Sequence, residues 1–286
     1  MKVEPRRIQE FLGFMVLRLC IGVVLFILAV IFFDIISKGI GVISWEFLTQ
    51  PPKDGMTKGG IFPAIVGTFA VTVITALLAV PFGMGCAIYL NEYAADNLFT
   101  RFIRISIRNL SGVPSIVYGL FGVALFVEGC HFGTSILAAG CTLGLMTLPL
   151  TITASEEALK TVPRSFREGS LALGATKWQA IQTNVLPYAI SGMLTGAILG
   201  LSRAAGETAP ILFTGAAFFL PDIPNSVFSQ FMALPYHLYI MSTQHHNIML
   251  VRPIAYGTAL VLIVLIFTMN LFAIILRFHL RRMKKD

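Results

Sequence analysis

Six long apolar runs constrain this chain more than any other feature of it. They lie near residues 11–34, 62–90, 110–128, 134–154, 188–219 and 252–277. About 20 consecutive apolar residues suffice to cross the hydrocarbon core of a bilayer. Inside lipid every backbone polar group must find its partner within the segment, so such runs fold as helices. The expected fold is all-α and integral to the membrane, with six transmembrane helices. Only 12% of the residues are charged, where a soluble domain carries about a quarter. That is too little charge to cover a water-facing surface. The second and fifth runs are longer than a crossing needs. They are expected to tilt, to project beyond the membrane, or to break at Pro81 and Pro210.

The first run follows Lys2, Arg6 and Arg7, as the core of a signal peptide would. It is longer than a usual signal core and no small-residue cleavage site follows it, so it reads as a retained helix. The four cysteines, Cys20, Cys86, Cys130 and Cys141, lack metal-like spacing and read as small hydrophobes. His237, His245 and His246 come with no carboxylate or cysteine pattern that would make a metal site, and nothing in the chain asks for a cofactor.

Basic residues near the span ends set orientation. With a cytoplasmic N-terminus, 16 Lys and Arg fall inside, among them Arg101, Arg104, Arg108, Lys160, Arg164, Arg167 and Lys177. Four fall outside: Lys38, Lys53, Lys58 and Arg252. Both termini are therefore expected in the cytoplasm. The net charge of +7 is a topology signal on this reading, not a nucleic-acid footprint. The outer segments run over roughly 35–61, 129–133 and 220–251, and the inner ones over 91–109 and 155–187. None is large enough for a separate soluble domain, and no Walker A loop is present. Energy from ATP would have to come from another chain, so this chain is not expected to be an enzyme.

The inner loop 155–187 is the most informative segment. Pro163 suits a helix start, and Ser165 with Glu168 fits a capping box. The residues that follow read as short amphipathic helices at the membrane face. This loop resembles the cytoplasmic signature E-A-A-x3-G-x9-I-x-L-P of type I ABC importer permeases. The chain has Glu168, Gly169, Ser170, Gly174, Asn184, Val185, Leu186 and Pro187 at the matching places. Gly169 and Ser170 replace two alanines, and Asn184 replaces isoleucine. The resemblance implies a coupling helix that enters a cleft on a nucleotide-binding subunit. Small residues there would permit close approach, and Gly174 would let the chain turn where a side chain would collide.

Two further stretches, Ser111-Gly-Val-Pro-Ser-Ile-Val-Tyr-Gly119 and Ser202-Arg-Ala-Ala-Gly-Glu-Thr-Ala-Pro210, resemble permeases of the phosphate-specific transport system. The second is closer to the PstA-type than to the PstC-type subunit. The resemblance covers roughly residues 60–280. It implies a domain plan of an N-terminal segment with an extra helix (1–60), a permease core (61–280) and a basic tail (281–286). It also implies a PstC-type permease partner, a pair of PstB-type ATP-binding subunits, a PstS-type external phosphate-binding protein, and residence in the cytoplasmic membrane of a prokaryote. Another oxyanion such as sulfate or molybdate, or an ion-coupled secondary carrier, are the alternative readings.

From the residues themselves, Arg203 lies about sixteen positions into the fifth run, near mid-membrane. A charge there costs roughly 2.5–3.5 kcal/mol on insertion scales. Glu207 follows four residues later and is placed to pair with it. A pore-lining Arg–Glu pair on an anion path is one reading, a structural ion pair the other. Gly192, Gly196 and Gly200 recur every four residues on the same run and read as a packing stripe. Thr68, Thr72 and Thr75 read as hydroxyls satisfying carbonyls of their own helix, and Trp45 and Trp178 as interfacial anchors.

Overall fold

The computed structural model describes residues 5–282. Lys2, Lys284 and Lys285, with the end of the basic tail, lie outside the described residues. Helices follow one another along the chain, and the single sheet among the described residues is a two-stranded ribbon pairing Pro52 with Gly59. Among the described residues, five helices are long and apolar enough to cross a membrane, or six segments if one bent pair counts as a span.

The first helix, α1 (Pro5–Gly39), stands apart. Its apolar central window is wholly exposed, and it touches the bundle mainly along the last helix. A short helix, α2 (Trp45–Thr49), begins where the Ser44 side chain accepts a hydrogen bond from the Phe47 amide at 3.1 Å. The second span, α3 (Phe62–Ile88), continues through a wide turn to Tyr93. It does not break at Pro81. Within the span, the loss of one backbone bond at Pro81 is tolerated because the neighbouring packing holds the helix together. Thr68, Thr72 and Thr75 donate to the carbonyls of Ala64, Thr68 and Val71. That is the local bonding expected of them.

The third expected span is shorter than the sequence suggests. Residues Leu98–Leu110 form an amphipathic helix, α4, capped by the Asn97 side chain. The chain then turns through 104° into a second piece, Ser115–Gly129. That piece comprises α5 (Ser115–Gly122) and a wide helical turn over Val123–Gly129. Pro114 forces the corner, since the residue before a proline avoids helical geometry and proline offers no amide. The fourth span, α6 (Ile136–Lys160), is capped by Ser135 and runs six residues beyond the expected end.

The inner loop folds as α7 (Arg164–Ala172) and α8 (Lys177–Ala180), followed by a wide turn over Ile181–Val185. The expected capping box at Ser165 and Glu168 does not form, because Pro163 already occupies the cap position of α7 without a side-chain bond. The capping box belongs to α8. There Thr176 accepts from the Gln179 amide and Gln179 accepts from the Thr176 amide.

The fifth run, apolar to about 219 with a break among its expected outcomes, does not continue as one helix. Its helix, α9 (Leu186–Ala205), stops at Gly206, and a short helix, α10 (Ala209–Thr214), restarts at Pro210. The break expected at Pro210 is thus present, three to four residues before the proline ring. The expected outer segment 220–251 holds α11 (Leu234–Thr243), and the last helix is α12 (Ile248–Arg282).

The bundle is centred on α3 packed along α6, with α9 packed against both. The glycine stripe makes the contact of α9 with α6. A methyl group placed on Gly192 would come 2.8 Å from the Ala158 methyl, and one on Gly200 would come 2.8 Å from the Thr147 methyl. Gly196 meets Ala154 more closely still. Two buried apolar clusters stack along the bundle. One gathers Val71, Leu143, Ile211, Phe231 and Ile240 at the expected outer end, the other Leu90, Ile152, Leu159, Val185 and Met193 at the expected inner end.

Candidate translocation site and coupling loop

Arg203 occupies the last turn of α9, and Glu207 follows just beyond it, in the break before α10. Nε of Arg203 lies 3.2 Å from Oε1 of Glu207. The helix ends there because the Gly206 amide turns back to the Arg203 carbonyl at 3.1 Å and the Glu207 amide to that of Ala204 at 3.2 Å. The Arg203 side chain is 59% exposed and that of Glu207 17%. The carboxylate is therefore fixed against the protein while the guanidinium reaches outward. One guanidinium edge is taken by Glu207, and the remaining donors are left for another acceptor.

The two motif stretches converge at this point. Arg203 lines a small cavity of about 40 Å³ with Ser111, Val113, Tyr118 and Gly200. The Tyr118 hydroxyl donates to the Leu110 carbonyl at 2.9 Å, which fastens α5 to the corner after α4. Gly119 brings α5 so close to α10 that an added methyl would stand 3.1 Å from the Pro210 Cα. On the far side, Ser202 meets Asn270 of α12. Asn270 escaped the sequence reading, as a lone amide in an apolar run carries no spacing signal.

In the inner loop, Glu168 and Gly169 face open space, and α7 has no buried residue. Gly174 adopts φ +84, a left-handed conformation that a side chain would strain. The collision expected at Gly174 is absent, since nothing lies within 4 Å of its missing Cβ. Backbone handedness, not crowding, is what requires glycine. Leu173, beside it, is 90% exposed, a large apolar side chain left uncovered among the described residues. Leu186 and Pro187 open α9 as expected. Two of the departures from the family signature turn out to be partners. The Asn184 side-chain amide donates to the Ser170 hydroxyl at 2.5 Å and ties α7 to the turn that leads into α9.

From the sequence, Arg104 and Arg167 are topology signals only. In the structure both reach buried carboxylates. Arg167 grips Glu92 through Nε and Nη2, and Arg104 Nε lies 2.9 Å from Glu156 Oε1 without the alignment of a hydrogen bond. The partners are 75 and 52 residues away in sequence, so no local spacing could have revealed them.

Residues 79–285 match the family of binding-protein-dependent transport system inner membrane components. The chain belongs to this family of multi-pass membrane permeases. The probable ABC transporter permease YqgI of Bacillus subtilis is 33% identical over 279 residues, covering 94% of this chain and 95% of that protein. The phosphate transport system permease PstA 1 of Mycobacterium tuberculosis is 37% identical, covering 79% of this chain and 72% of that one. PstA of Haemophilus influenzae is 36% identical over 71% of each chain. Among solved structures, the inward-facing methionine transporter MetNI superposes with a TM-score of 0.61 at 16% identity, over 76% of this chain and 94% of that one. A bacterial ABC transporter that imports alginate gives 0.68 at 12% identity, over 96% and 99%. At such identities these structures share the fold, which is that of ABC importer permeases.

Proposed function

We propose that this chain is the PstA-type permease subunit of an ATP-driven importer of inorganic phosphate. It forms half of the translocation path with a PstC-type subunit and couples to ATP-binding subunits through the loop Glu168–Pro187. An external phosphate-binding protein delivers the anion, both termini lie in the cytoplasm, and residues 61–280 are the permease core. The observation that carries this reading is the meeting of Ser111–Gly119 and Ser202–Pro210 around one outward-reaching guanidinium. A guanidinium offers a planar fork that matches the oxygens of a phosphate. Glu207 competes with the anion for Arg203 and keeps the site weak enough to release its cargo. Leu173 and the unoccupied side of α7 give a nucleotide-binding subunit an exposed surface to grip.

The test is uptake of labelled phosphate by sealed vesicles carrying this chain with its permease, ATPase and binding-protein partners. Uptake that needs ATP, resists excess sulfate and falls at least tenfold in Arg203→Ala is the expected result. Sulfate-sensitive uptake would keep the importer and replace the substrate. Uptake indifferent to ATP would overturn the class.

A further inference from the structure

The coupling helix is joined to the second span by one unusually well-made contact. Arg167 of α7 places Nε 3.0 Å from Glu92 Oε2 and Nη2 2.7 Å from Glu92 Oε1. The same guanidinium donates from Nη1 to the Val162 carbonyl at 2.9 Å and from Nη2 to the Leu159 carbonyl at 3.1 Å. Glu92 is 5% exposed and Arg167 22%. A fork–fork pair in a partly dry setting fixes direction as well as distance. One side chain thus ties α7 to the wide turn that ends α3 and to the end of α6. Without it α7 rests on little, since none of its residues is buried. Its other side-chain ties, Ser170 to Asn184 and Phe166 edge-on to Tyr188, lead towards α9.

A second arginine bridges the end of α3 and α6 from α4, without a fork–fork pair. Arg104 of α4 donates to the Leu90 carbonyl at 2.7 Å and pairs with Glu156 of α6. The inner end of α3 is therefore clamped to α6 by guanidinium groups on both flanks. From there α3 runs unbroken to the expected outer segment. Thr68 Oγ1 accepts a hydrogen bond from the Leu234 amide at 2.8 Å, fully buried, and Gly67 lets the Met232 carbonyl approach closely. Glu92 and Thr68 are 24 residues apart on one rod, about 36 Å along the helix axis.

We propose that Arg167 is the positioning residue through which the coupling helix drives α3, and that α3 carries the displacement across the membrane to the outer segment at Met232–Leu234. A rigid element held at both ends by directional bonds is a physical route for coupling. The inference rests on the coupling role proposed for the inner loop.

The experiment uses the reconstituted complex with Arg167→Lys, which keeps the charge and loses the fork, and Thr68→Val, which keeps the shape and loses the acceptor. The readouts are phosphate transported per ATP hydrolysed and the stimulation of hydrolysis by the loaded external binding protein. Each variant is expected to lower both about tenfold, with all subunits still copurifying. The double variant is expected to be no worse than the poorer single one, because both break one path; independent sites so far apart would multiply their effects. Wild-type behaviour in Arg167→Lys, a multiplicative double variant, or loss of subunit copurification in both singles would overturn the inference. If the wild-type complex itself shows no ATP-coupled uptake, the parent reading fails instead.

Discussion

Arg203 and Glu207 flank a helix break, and the placement suits both charges. A cation at the end of α9 faces the negative pole of that helix, and the carboxylate stands just before the start of α10. Removing the carboxylate charge frees the guanidinium for the passing anion. Glu207→Gln is expected to hold phosphate more tightly and slow its release, so that uptake falls several-fold while anion retention rises. Measuring release from vesicles after a phosphate pulse checks this, and unchanged retention would refute the competing role. His237 supplies a different test. It is 1% exposed, and neither ring nitrogen meets a hydrogen-bonding partner among the described residues. Burial, with a smaller contribution from His245, pushes its pKa down to about 4. The unfolded chain takes up this proton near pH 6.5 and the folded one does not. Stability is therefore full above pH 6.5 and declines as pH falls towards 4, by roughly 3 kcal/mol over that window. Thermal melts in detergent should show the decline, and His237→Leu should flatten it.

Among the elements, α9 is the one on which most depends. Its glycine stripe lies against α6 while Arg203 reaches into the open. Gly196→Val would push a branched side chain into Ala154. The expected cost is about 1–3 kcal/mol or more, read as a lower melting temperature. The same change at Gly169, which faces open space, should leave the melting temperature alone. α7 and α8 present the opposite case. Gly174→Val strains φ +84 at the junction between them, at a cost of about 1–2 kcal/mol. That cost falls on the loop and not on the bundle. The expected outcome is weaker copurification of the ATP-binding subunit with little change in the melting temperature of this chain. Of these elements, the sequence made the stripe legible, because small residues at a spacing of four leave a pattern. It misplaced the capping box, because Ser165 and Glu168 satisfy the pattern as well as Thr176 and Gln179 do. Only the position of Pro163 at the helix start decides between them.

At the scale of the molecule, the proposed topology, with both termini in the cytoplasm, places residues 129–133 on the outer side. Cys130 is exposed there. A membrane-impermeant maleimide added to intact cells should label Cys130, and Cys130→Ser should abolish most of that labelling. Labelling only after the membrane is opened would invert the topology. The sequence by itself determined that the chain is helical and crosses a membrane repeatedly, since length and hydropathy act locally along each segment. It also marked the loop and the Arg–Glu pair, whose members are close in the chain. The apolar runs overshoot the helices at Leu110 and beyond Ala205. Hydropathy does not change at a corner where the side chains stay apolar. Only the tertiary structure decided that the two motif stretches meet at Arg203, that Ser170 and Asn184 compensate one another, and that Glu92 receives Arg167. Those contacts join residues far apart in sequence, and packing of α3, α6 and α9 is what brings them within reach.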